Sequence, residues 1–141
     1  MTTQARFILL AALFAMLGVA MGAFAAHGLK AVLPVEVLAT IKTGVLYQLL
    51  HAIAVVAVAT LMQQDRWQHV HTELRRACIC FLFGVVFFSG SLYLLVLASL
   101  KVLGPVTPLG GVLLLLGWMW LMIAAWKIQQ SPTQEETEHN E

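Results

Sequence analysis

Charged side chains are what this chain has least of. Asp, Glu, Lys and Arg make up 11% of its 141 residues, against about 25% in an ordinary soluble domain. From Phe7 to Ala26, Gly44 to Met62 and Ala77 to Leu100 there is none of the four. From Leu109 to Ile128 there is only Lys127, one residue from the end. The net charge of +1 provides no basic field for nucleic acid and no acidic field for cations. The two cysteines, Cys78 and Cys80, are one residue apart. On a helix their Cβ vectors diverge too far for a disulfide, and no second pair closes a tetrahedral zinc site. They read as small apolar residues of a buried helix. No G-x-S-x-G, H-E-x-x-H or C-x-x-C-H occurs, and no carboxylate lies in a long apolar run. The expectation is therefore no enzyme, no metal site and no cofactor. Haem is disfavoured further because His27 and His51 would sit roughly 10 Å apart in depth on straight helices.

What remains is hydrophobic. Apolar residues are 60% of the chain, against roughly 45–50% in soluble domains. Each of the four runs has the ~20 residues that a helix needs to cross a ~30 Å hydrocarbon core. The fold class expected is an all-α membrane protein, a four-transmembrane-helix, up-down-up-down bundle within residues 1–128. Residues 129–141, ending SPTQEETEHNE, have nothing apolar to bury and predict a disordered, acidic C-terminal tail. The first run could be mistaken for a signal peptide, since Arg6 precedes it and Ala23-Phe24-Ala25 resembles a cleavage site. It is too long for a signal core, and a discarded segment needs no packing face. Gly18, Gly22 and Ala26 give it one, at the spacing that lets helix backbones approach closely in lipid.

Between the runs, Gly28 reads as a helix stop, Pro34 as the first turn of the next helix, and Gly44 as a place where that helix bends into the membrane. The segment from Gln63 to Arg76 is the most polar connection. KVLGPVTP, from Lys101 to Pro108, reads as a tight, rigid turn. Arg6, Arg66, Arg75, Arg76 and Lys127 fall on one side of the membrane, and Lys30, Lys42 and Lys101 on the other. The bias predicts both termini in the cytoplasm.

Polar residues inside the runs are the candidate site. Tyr47, Gln48 and His51 share a face of the second run, with Gly44. Ser89 and Tyr93 lie at similar depth on the third, which runs the opposite way. Ser91 points away from them, with Gly84. The expectation is that His51 faces Ser89 or Tyr93. Such a cluster serves either as interhelical packing or as a small-molecule, lipid or proton site, and packing is favoured. Trp118 and Trp120, near the middle of the last run, either find a partner inside the bundle or face another subunit or lipid.

The segments GAFAAHGLK, YQLLHAIA, FSGSLYLL and GPVTPLGG follow one another, one per helix or helix boundary. In this combination the chain resembles the YgdD-like family of small four-helix bacterial inner-membrane proteins, from Phe7 to Trp126. GAFAAHG stands where that family's pattern would read GAFGAHG. The resemblance implies the bacterial cytoplasmic (inner) membrane and the four-helix architecture, and no activity. Taken together, the reading is a small integral membrane protein with a structural, accessory or envelope-related role. The alternative is a small transporter or a lipid- or proton-handling protein using Tyr47, His51, Ser89 and Tyr93. The bilayer is the expected partner, with room for a homo-oligomer or another membrane protein, which a transport pathway would require.

Overall fold

In the computed structural model, which describes residues 2–130, four helices carry the chain: α1 (Thr3–His27), α2 (Val35–Leu61), α3 (His71–Leu97) and α4 (Val106–Gln130). Each is long and apolar enough to cross a membrane. The protein is an all-α, four-span membrane protein, and among the described residues there is no strand. Short 3-10 turns, Leu29–Ala31, Asp65–Val70 and Lys101–Leu103, make the connections.

Every helix is longer than its apolar run, although α2 and α3 stop short of the C-terminal ends of theirs. Within lipid a helix satisfies its own backbone, and near the headgroups polar side chains can continue it. Thr2 caps α1, its Oγ1 accepting from the Ala5 N–H at 3.3 Å. Gly28 closes that helix with a right-handed φ of −83°. The glycine makes room for the Phe24 ring, which a Cβ would meet at 2.8 Å, and does not serve a left-handed turn. α2 starts after Pro34 with Glu36 in its first turn and is a single helix through Gly44. No helix boundary falls at Gly44, where the sequence suggested a bend. α3 begins at His71, so Glu73, Arg75 and Arg76 belong to a helix rather than to a polar loop. α4 begins at Val106 and takes Pro108 into its first turn, where a missing N–H costs nothing. The expected disordered tail falls on residues 131–141, outside those described; Gln129 and Gln130 are still helical.

Each helix packs chiefly on the next in sequence: α1 on α2, α2 on α3, α3 on α4. Close approach is made by glycines. A Cβ on Gly18 would touch Leu49 at 2.9 Å, and one on Gly22 would touch Val45 at 3.3 Å. The third member of the expected stripe does not take part. Ala26 is exposed, and Ala25, 1% accessible, lies in the contact with Leu29, Leu38 and Ile41. Seven residues after Gly18 return to within about 20° of the same face, whereas eight overshoot by about 80°. Helices in near-parallel bundles keep the seven-residue repeat. At the end where α1 starts and α4 finishes, Glu73 of α3 pairs with Lys127 of α4. The Arg76 guanidinium lies 4.5 Å from the centre of the Trp120 ring. Gln4 of α1 reaches the Met62 carbonyl at 3.4 Å and the His71 ring at 3.2 Å.

Candidate intramembrane polar cluster

Of the five polar residues singled out in the spans, Gln48, His51, Ser89 and Tyr93 hydrogen-bond through their side chains, in two groups rather than one, while Tyr47 contributes its carbonyl and its ring and is 39% exposed. In the first, Gln48 is the hub. Its Nε2 donates to the Phe14 carbonyl of α1 at 2.7 Å, and its Oε1 accepts from the Tyr93 hydroxyl of α3 at 2.8 Å. One amide thus ties three helices together. Next to it the Ser89 hydroxyl donates to the Gly44 carbonyl at 2.8 Å. Gly44 makes both contacts possible. Its missing side chain lets α3 come near enough for the short serine to reach backbone. It also leaves room for the Tyr93 ring, whose Cε1 would lie 2.6 Å from a Cβ there.

The second group surrounds His51, which is 4% exposed. Its Nδ1 lies 2.8 Å from the Tyr47 carbonyl, one turn back on α2. The Trp118 indole N–H of α4 donates to its Nε2 at 3.2 Å. An indole can only donate, so Nε2 accepts and Nδ1 carries the proton given to Tyr47. Both nitrogens of a neutral imidazole are then in use. The Phe81 ring, 5.4 Å from the imidazole and 5.1 Å from the indole, fills the space beneath them. The Tyr47 ring lies tilted against Phe88, centroids 4.4 Å apart.

His51 therefore faces neither Ser89 nor Tyr93. Those side chains leave α3 toward the Gly44 and Gln48 face of α2, and His51 turns toward α4. Ser91, on the other side of α3, bonds the Phe88 carbonyl at 2.9 Å and the Thr107 hydroxyl at 2.7 Å, joining α3 to the start of α4. Sequence reasoning missed Trp118 as the partner of His51. The available signal was a mid-span indole, whose lone donor must find an acceptor in lipid. It also missed the Phe14 carbonyl, which no side-chain pattern can mark. Among the described residues no buried side-chain nitrogen or oxygen lacks a partner. Nor do three or more His, Cys, Asp or Glu among them gather at one place.

Comparison with known proteins finds relatives over most of the chain. Residues 21–111 match a family described as "Protein of unknown function (DUF423)". The chain is 39% identical over 124 residues to a UPF0382 membrane protein of Staphylococcus saprophyticus, covering 86% of this chain and 98% of that one. It is 40% identical over 121 residues to the UPF0382 membrane protein YwdK of Bacillus subtilis, covering 86% and 96%. Against the UPF0382 inner membrane protein YgdD of Escherichia coli it is 35% identical over 137 residues, covering 93% and 98%. No solved structure matches.

Proposed function

Because this chain belongs to the DUF423 family of small membrane proteins, we propose that it works as a non-enzymatic structural or accessory component of the bacterial cytoplasmic membrane, its polar cluster serving to lock helices together. The observation that carries this reading is the saturation of the cluster's interior members; Tyr47, which is exposed, stands outside them. Gln48, Ser89, Tyr93 and His51 each spend their polar atoms on a neighbouring helix or on their own backbone. A proton carrier or ligand site needs a group held in reserve, and this cluster keeps none among its buried atoms.

The test is at His51. His51→Gln keeps an acceptor for the Trp118 indole and should accumulate normally and replace the wild type in a deletion strain. His51→Leu orphans the indole and should lower stability by about 1 kcal/mol, the scale of one interhelical bond. Its cellular defect should then follow its abundance. A His51→Gln protein that accumulates and melts normally yet fails to complement would favour the other reading, a proton- or ligand-handling site.

The same reading puts both termini in the cytoplasm. Arg75 and Arg76 stand in the first turns of α3, and Lys127 in the last turn of α4, at the end of the bundle that holds the N-terminus. Lys30 and Lys42 stand at the opposite end. Basic residues flanking spans stay on the cytoplasmic side. A C-terminal alkaline phosphatase fusion should be silent and a fluorescent-protein fusion bright; the reverse pattern would invert the orientation.

A further inference from the structure

The sequential packing leaves α2 and α4 apart over part of their length, and between them lies a cavity of ≈ 680 Å³ with α3 as its floor. Its walls are apolar: Leu46 and Leu50 on α2, Gly111 and Leu115 on α4, and Phe88 beneath. We propose that this groove holds one acyl chain of an anionic phospholipid from the leaflet on the side of the α1–α2 and α3–α4 connections, with the lipid phosphate at Lys42.

The length of the groove selects the occupant. From Pro108 to Trp118 it follows ten residues of α4, which is roughly 15 Å at ~1.5 Å rise. Its inner end is closed where Trp118 bonds His51. A hydrocarbon core of ~30 Å has leaflets of half that depth. The groove is one leaflet long and therefore fits a lipid chain. A helix from a second copy would need contact along the whole thickness. Charge and polarity point the same way. Lys42 lies one turn outward of Leu46, is exposed, and has no ion pair among the described residues. Helical side chains lean toward their helix N-terminus, which in α2 is the headgroup side, so the Lys42 ammonium reaches the phosphate level. Tyr47 lines the groove five residues further in, about 7.5 Å deeper. There its phenol can donate to a lipid ester carbonyl. The proposal does not depend on the packing role given to His51, which only closes the groove's inner end.

Gly111 supplies the test. A Cβ there would meet only the Phe88 ring, at 3.8 and 3.9 Å, so a side chain can start at Gly111; Gly111→Leu is chosen to fill the groove, and its melting temperature reports whether the helices are disturbed. Full-length protein in mild detergent is supplied with phosphatidylglycerol or phosphatidylethanolamine and examined by native mass spectrometry, with its melting temperature measured in parallel. The wild type should retain one phosphatidylglycerol in preference to phosphatidylethanolamine. Gly111→Leu, melting as the wild type does, should retain about tenfold less of either, and Lys42→Gln should lose the preference for the anionic lipid. If Gly111→Leu accumulates poorly, Leu115→Trp blocks the same groove from a residue that is 70% exposed. Equal retention by the wild type and a well-folded groove-filling variant overturns the proposal. So does a wild-type dimer that becomes monomeric in that variant, which would seat a second copy there instead.

Discussion

Gly110→Ala should be among the most damaging single-methyl changes in this protein. A Cβ on Gly110 would lie 2.3 Å from the Phe88 nitrogen, 2.7 Å from the Phe88 Cα and 2.8 Å from the Phe87 carbonyl carbon. All three are backbone atoms of α3, and none can rotate away. Ordinary contact is ~3.5–4.0 Å, so α3 and α4 must part by roughly 1 Å where they cross. Nearby, the Ser91–Thr107 hydrogen bond spans the same crossing and would stretch with it. Overpacking costs typically 1–3 kcal/mol when side chains can yield; with backbone on the far side, the upper end, about 3 kcal/mol, is expected. The measurement is reversible unfolding in mixed micelles, with abundance in the membrane alongside. Gly111→Ala is the matched control. Its Cβ meets only ring carbons at 3.8 Å or beyond, and exchanging glycine for alanine in a helix is itself favourable. Stability should hold or rise. Equal losses at the two positions would mean that the α3–α4 crossing is not as close as described.

Gln48→Leu should be the most costly loss of a polar group. The leucine leaves the Phe14 carbonyl with only its own helix bond. More seriously, it leaves the Tyr93 hydroxyl proton without an acceptor inside the bilayer. Interhelical bonds in membranes average ~0.6 kcal/mol and reach ~1.7, and an orphaned buried donor adds about 1–3 kcal/mol in water-soluble proteins. A total near 2 kcal/mol is expected. Tyr93→Phe removes the orphan together with its bond, so the double variant Gln48→Leu/Tyr93→Phe should be less damaged than the two single losses added. Sites that do not communicate add within ~0.3–0.5 kcal/mol. Additive losses here would sink the description of Gln48 as the hub that joins α1, α2 and α3.

The architecture was legible because a bilayer asks one crude question, whether ~20 apolar residues follow one another, and four segments answer it. Which polar residues would be turned inward was legible for all of the cluster but Tyr47, which is exposed. Gln48, His51 and Ser89 are all buried, since a hydrogen-bonding group facing lipid is expensive. Who bonds whom was not. Counting residues from the ends of the apolar runs puts His51 and Ser89 at one depth, but Ser89 meets Gly44, seven residues outward of His51 on α2, and the α3 residue beside the His51 ring is Phe81. Nothing in the sequence says that Gly44 lets the Tyr93 ring through to Gln48 and leaves His51 to α4. The choice between Ala25 and Ala26 turned on whether α1 follows a straight helix or the seven-residue repeat of a bundle, a difference of one residue after two turns. The Glu73–Lys127 pair joins residues 54 apart in the chain, and no local pattern announces it.

The order of packing bears on how the chain comes to be in the membrane at all. Since α1 meets chiefly α2, and α3 chiefly its two neighbours in sequence, almost every contact is made between segments that leave the ribosome one after the other. Closing so short a connection costs little entropy, and topologies built from local contacts assemble quickly. Each new span therefore arrives to find its docking face already in place. The Glu73–Lys127 and Arg76–Trp120 contacts, whose second members lie late in α4, fasten last, when the final span has entered.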